Sequence, residues 1–201
     1  MTRKAIVYID GQNFHHQLET VCKLDSRYIN FKKFSEDVLA KGKMLENVKY
    51  YGAKYPQQRD PYKHGRDAAF FLHLEKTQSV RVIEGKFLVP ADRSIPPREK
   101  GVDVRLATDL IFDAFHNSYD DAYIISSDTD LVPAIKQIKE SSSFRDKKIF
   151  NFSFQKLNDF NVCDGVFLIF PNTIKKYHSP KDFPADSTMV NQLKDRFNSK
   201  K

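Results

Sequence analysis

The chain has 201 residues, 40% hydrophobic and 13% aromatic, which suits one globular domain with a core that needs no disulfide staples and excludes a disordered chain. Lys and Arg number 33 against 26 Asp and Glu, a formal charge of +7 at pH 7, and a basic body is drawn to polyanions. Cys22 and Cys163 fit no metal or disulfide spacing, and the apolar run after Lys4 is too short for a signal peptide or membrane span, so the expectation is a cytoplasmic protein with buried, reduced thiols and no membrane partner.

Lys4 to Ile9 is a near-continuous apolar run, as in a strand covered on both faces. Asp10-Gly11 ends it, and a helix is predicted from about Asn13 to Val21. A second helix is predicted from Phe31 to Ala40, stopped by Gly42. Val48 to Tyr55 reads as a strand, Pro56 to Pro61 as a turn or loop, and Asp67 to Thr77 as a helix. Val80 to Val89 reads as a strand, followed by a proline-containing loop from Pro90 to Pro97. Val102 to Phe115 is the clearest helix, with Leu106, Ala107, Leu110, Ile111, Ala114 and Phe115 at helical spacing. Ala122 to Ser126 is a short buried strand, Leu131 to Glu140 a helix, Lys148 to Phe154 a strand, and Val166 to Phe170 a last strand ended by Pro171. The tail from Lys175 is polar and basic, with a weak helix expected near Met189 to Phe197.

Strands and helices alternate throughout. This predicts an α/β fold with a central, mainly parallel sheet and helices on both faces. In such sheets ligands bind beyond the carboxyl ends of the strands, so the chemistry is sought there.

Three segments put aspartates at those positions: Tyr8-Ile9-Asp10-Gly11-Gln12-Asn13, Lys100-Gly101-Val102-Asp103, and Ser126-Ser127-Asp128-Thr129-Asp130. On a wheel of about 100° per residue, Leu106, Ala107, Leu110 and Ala114 fall within about 60° of Asp103, which sets this carboxylate in the middle of the buried face. A buried carboxylate must be hydrogen-bonded, paired or metal-bound. Capping a helix would satisfy Asp103, and Asp130 is the better cap for the helix at Leu131 than Asp128. Asp10 alone could initiate a turn with Gly11, and Asn13 could cap the first helix or orient a water or phosphate oxygen. Gathered at one sheet edge, however, such carboxylates repel one another, and Mg²⁺ or Mn²⁺ resolves that repulsion through oxygen ligands. Cations held in this way serve phosphoryl chemistry, here hydrolysis of a phosphodiester.

The three blocks, extended to Glu99-Lys100-Gly101-Val102-Asp103-Val104-Arg105-Leu106-Ala107-Thr108-Asp109 and to Leu131-Val132-Pro133, resemble the NYN family of the PIN-like nuclease superfamily, which includes LabA-like proteins. The resemblance implies a PIN-like three-layer sandwich, a nuclease domain over residues 1–174 followed by a basic tail over 175–201, and a site requiring Mg²⁺ or Mn²⁺. By carry-over, Asp10, Asp103, Asp128 and Asp130 become the metal-binding acids, with Asn13 as their polar neighbour and Asp109 as a secondary or structural acid. Many relatives read Ser-Gly-Asp-Gly-Asp in the third block, where this chain has Ser127 and Thr129 in place of the glycines.

Arg98, Lys100 and Arg105 flank the acids as phosphate-binding candidates. The stretch Lys54 to Arg66 mixes cations with Tyr55 and Tyr62, so Arg66 and its neighbours are candidates for contact with a single strand. The tail cations Lys175, Lys176, Lys181, Lys194, Arg196, Lys200 and Lys201 add attraction for a polyanion. The histidines show no ligand spacing, and His15 and His16 are expected to face different ways. The leading expectation is a metal-dependent endoribonuclease, with RNA preferred over DNA by the resemblance alone. The alternative is a non-catalytic or weakly catalytic RNA-binding regulatory module. A phosphatase is disfavoured because Asp10-Gly11-Gln12 lacks a second acid, and a dinucleotide-binding protein because no Gly-x-Gly-x-x-Gly follows the first strand. Homo-oligomerisation stays open.

Overall fold

In the computed structural model, which describes residues 2–180, six parallel strands form one sheet. The elements run β1 (Lys4–Asp10), α1 (Gly11–Cys22), α2 (Phe31–Phe34, continued by a π turn over Ser35–Leu39), β2 (Met44–Gly52), α3 (Pro61–Thr77) and β3 (Arg81–Glu84). They continue with β4 (Lys86–Leu88), β5 (Arg98–Lys100), α4 (Val102–Phe115), β6 (Asp121–Ile125), α5 (Val132–Glu140), β7 (Lys148–Ser153), β8 (Gly165–Leu168) and α6 (Pro171–Ile174). The sheet order is β3-β2-β1-β6-β7-β8, while β4 and β5 form a separate antiparallel pair.

Strand β1 is central and buried, and its side chains alternate between two cores. Ala5, Val7 and Ile9 face a layer that contains Phe14, Phe31, Phe34 and Leu74. Ile6 and Tyr8 face the opposite layer, with Leu106, Leu110, Ile135 and Phe160. The parallel sheet with helices on both faces, expected from the alternating pattern, is therefore present. Cys22 and Cys163 are free and half-buried, and they pack in opposite layers. No helix among the described residues is long and apolar enough to cross a membrane.

The chain winds from β1 outward to β3, then returns to β6 on the other side of β1. The strand order thus reverses between β1 and β6, which opens a crevice at their carboxyl ends. Asp10 closes β1, and Ser126 directly follows β6, so two of the three acidic segments flank that crevice.

Several local expectations are corrected. Helix α1 begins at Gly11, and its cap is Asp10, whose Oδ1 accepts from the Asn13 N–H at 3.1 Å; Asn13 lies inside the first turn and caps nothing. Helix α3 begins at Pro61, not Asp67, because Asp60 accepts from the Tyr62 and Lys63 N–H groups at 3.0 Å and proline suits the first helical position. The expected strand Val80 to Val89 breaks at Gly85, where a β-carbon would sit 2.4 Å from Val102 Cγ2. Its first half joins the parallel sheet, and its second half turns away to pair with β5, a strand hidden in the sequence behind a proline-rich loop.

Residues assigned to the tail by sequence touch the body: the Asn30 N–H donates to the Tyr177 carbonyl at 2.8 Å, and Ser179 N–H to the Tyr28 carbonyl at 2.8 Å. The helix expected near Met189 to Phe197 and the cations from Lys181 onward lie outside the described residues.

Candidate active site

Asp10 is 3% exposed at the crevice floor. Its Oδ2 accepts from the Ser126 hydroxyl at 2.8 Å, which ties the ends of β1 and β6 together. Ser126 Oγ in turn accepts from the Asp128 N–H at 3.0 Å and so fixes the start of the third block. Asn13 Oδ1 accepts from the Ser127 N–H at 3.0 Å and the Ser127 hydroxyl at 3.1 Å. Gln17, also on α1, donates to Ser127 Oγ at 2.9 Å. Ser127 therefore supplies bonds that a glycine could not. Neither Ser127 nor Thr129 has a positive φ, so nothing in this loop demands glycine.

Gly101 leads into α4 with φ +82°, a left-handed conformation that aims the helix start at the crevice. Asp103 lies in the first turn. It is half-buried rather than central to the buried face, which is made of Val102, Leu106, Leu110, Asp113 and Ala114. The capping reading for Asp103 also falls, because Gly101 is the cap.

One carboxylate oxygen from each of Asp10, Asp103 and Asp128 lies within 4.8 Å of the others, a separation one cation can bridge. Asp128, not Asp130, caps the turn before α5: its Oδ1 accepts from the Asp130 N–H at 2.9 Å. Asp130 is exposed and outside the group of three, yet its charge raises the Asp103 pKa.

The electrostatics agree with an acidic cluster. Burial, assisted by the charges of Asp103 and Asp128, pushes Asp10 up to about 6 against the bonds from Ser126 and Asn13. Burial and then the Asp128 charge raise Asp103. Glu99, which sequence reading passed over, is pushed up to about 7 by burial and then by the charge of Asp10. It lines the same cavity as the three aspartates, of about 450 Å³, together with Lys100, Asn13, His15 and His16. His15 also borders a neighbouring cavity and pairs with the Ser26 hydroxyl at 2.9 Å, which His16 does not. On β5 Glu99 is half-buried between exposed Arg98 and Lys100, a period of two that a longer strand would have made visible.

The other flanking candidates are dispersed. Arg98 is exposed and does not line the carboxylate cavity. Arg105 is exposed too and pairs with Asp109 at 3.4 Å, while Asp109 also accepts from the Tyr51 hydroxyl at 3.0 Å. Arg66 lines a second cavity that shares Gln12, His15 and Glu99 with the first. Of its neighbours, Lys54 pairs with Glu84 at 2.7 Å, and Arg59 donates to the Pro90, Asp92 and Arg93 carbonyls, so these two cations hold loops together.

The fold and the acidic crevice can be set beside known proteins. The NYN domain family model matches residues 4–162. A crystal structure of a Vibrio parahaemolyticus protein of unknown function is similar, with a TM-score of 0.60, 18% identity, and coverage of 84% of this chain and 94% of that one; this likeness concerns the fold alone. A structure described as bearing on the mechanism and regulation of Sir2 enzymes aligns with a TM-score of 0.37 at 12% identity, over 98% of this chain and 94% of that one, and carries no argument. No curated protein matches the chain.

Proposed function

We propose, from the premise that the chain belongs to the NYN domain family of the PIN-like superfamily, that it is a metal-dependent endoribonuclease. The observation that carries this reading is the meeting of Asp10, Asp103 and Asp128, three carboxylates from segments far apart in sequence, around a point that one cation would fill. The pKa values of Asp10 and Asp103 are raised first by burial and then by neighbouring aspartates, and a bound cation would offset both the desolvation and that repulsion.

Asp10, Asp103 and Asp128 would hold Mg²⁺ or Mn²⁺, with Asp130 near enough to add charge or an outer contact. When bound, the cation polarises the phosphate and favours ionisation of water. The chain supplies the rest. Asn13 and Ser126 fix the carboxylates and the loop between them. Lys100, on the cavity wall, draws in the phosphodiester and balances its charge. Glu99, on the same wall, is in place to take a proton from the attacking water. Arg98, Arg105 and the lysines beyond residue 174 add long-range attraction for the strand. The catalytic body is proposed to be residues 1–174.

The test is cutting of end-labelled RNA and DNA oligonucleotides in Mn²⁺, Mg²⁺ or EDTA, with Asp103→Asn in parallel. RNA cleavage that needs metal and is lost in Asp103→Asn is expected. If wild type and Asp103→Asn bind RNA alike and neither cuts it, the catalytic reading fails and the chain is an RNA-binding module.

A further inference from the structure

Beside the carboxylates lies the second cavity, about 280 Å³, just below the usual range for ligand pockets and large enough for a fragment such as a single ring system. Its walls combine aromatic rings with hydrogen-bonding groups of both kinds. Tyr50 and Phe71 are buried in its floor, and Phe87 at the rim packs against Tyr55 with ring centroids 5.6 Å apart. Two guanidinium groups reach it. Arg27 holds Asp25 through Nε and Nη2, but its Nη1 is buried with no protein acceptor. Arg66 Nε is likewise buried without an acceptor. Both nitrogens are shielded from solvent without an acceptor, at a cost of about 1–3 kcal/mol each, and both belong to guanidinium groups of residues that line this cavity, so a small movement of either side chain would offer a donor to a bound acceptor.

A phosphate would satisfy those donors, but the same walls carry Asp67 and Glu99, which would repel it. A flat, neutral group that offers acceptors to the arginines and donors to the carboxylates satisfies all of them. We infer that this cavity is a nucleobase subsite, which takes the base of the nucleotide beside the scissile phosphate and prefers a base whose edge carries a keto oxygen next to an imino N–H, guanine or uracil. The keto oxygen accepts from Arg66 and Arg27, the imino N–H donates to Asp67 or Glu99, and the aromatic rings hold the base plane. Adenine lacks the keto oxygen, and cytosine lacks the imino N–H. Gln12, His15 and Glu99 border both cavities, so a base here stands one nucleotide from the carboxylates. The inference rests on the nuclease reading for its place beside the cut and not for its chemistry.

The experiment measures binding of GMP, UMP, AMP and CMP to the full chain in EDTA by calorimetry. GMP and UMP are expected to bind at least tenfold more tightly than AMP and CMP. Arg66→Met is expected to remove that preference, and Phe87→Ala, on the small β4–β5 pair, to weaken all four nucleotides at least fivefold. Equal binding of the four nucleotides, or a preference untouched by both variants, overturns the inference. In the cleavage assay, cuts are expected beside G or U, and metal-dependent cutting with no base bias also overturns it. If the wild type cuts nothing while the EDTA preference stands, the nuclease reading fails and the base pocket survives.

Discussion

The Ser126 hydroxyl donates to Asp10 Oδ2 at 2.8 Å, so the residue that follows β6 holds the acid that ends β1. This bond stabilises the ionised form of Asp10 against burial. Removing it leaves a carboxylate that ionises less readily and is less firmly oriented. Ser126→Ala is expected to weaken Mn²⁺ binding at pH 6.5 by about tenfold, the usual scale for losing a partner of a metal ligand. A Mn²⁺ titration of both proteins, after EDTA stripping, checks it. Equal affinities would show that the hydroxyl serves only the loop.

Glu99 provides a pH test. Its folded pKa of about 7 lies above the ordinary 4.5, mainly through burial. For an acid raised on folding, the folded state binds the proton more tightly, so the contribution to stability is full below about pH 4.5 and is lost as pH climbs through about 7. Glu99→Gln abolishes that loss. After allowing for partial solvent screening, the variant is expected to gain about 1–2 kcal/mol on wild type between pH 5 and pH 8. Urea denaturation in EDTA at the two pH values measures it, and a constant difference would mean that Glu99 does not titrate as described.

Gly11 lies against Tyr50. A β-carbon on Gly11 would stand 2.4 Å from Tyr50 Cζ, and that ring is buried among Phe31, Phe70 and Phe71. Gly11→Ala must displace a large ring in a packed layer, at a cost of about 1–3 kcal/mol. Thermal unfolding is the measurement. A variant as stable as wild type would mean that the ring yields freely.

Away from the crevice, Asp113 accepts from Lys49 Nζ and from the Tyr8 hydroxyl, both at 2.5 Å, in the layer between the sheet and α4. Lys49 is 5% exposed and Asp113 9%. Asp113→Leu leaves the ammonium buried and unpaired, and is expected to cost about 3–5 kcal/mol. The double variant Lys49→Met with Asp113→Leu replaces the pair by apolar volume and is expected to recover most of the loss. Additive losses in denaturant unfolding would refute the pairing account.

Much of this protein is written in short stretches of its sequence. The apolar run of β1, the helical spacing of α4 and the alternation of elements identify the α/β sandwich, because each is a local pattern set by a period of two or of 3.6 residues. The Asp-bearing blocks are legible for the same reason: each is contiguous and sits where a strand ends or a helix starts. Helix α3 is legible in part; Asp60-Pro61 marks its start, but Lys63, His64 and Arg66 obscure its apolar period. What the chain cannot state locally is who meets whom. The reversal of strand order between β1 and β6 brings Asp10 to Asp128, and the left-handed turn at Gly101 brings Asp103 to both. Exposed Asp130 and half-buried Asp128 differ by two residues in sequence, and only the capping geometry separates them. Glu99 joins the site through a three-residue strand too short to announce itself, and Lys49 finds Asp113 across 64 residues. Local spacing sets the elements, whereas burial and charge act between groups that only the packed chain makes neighbours.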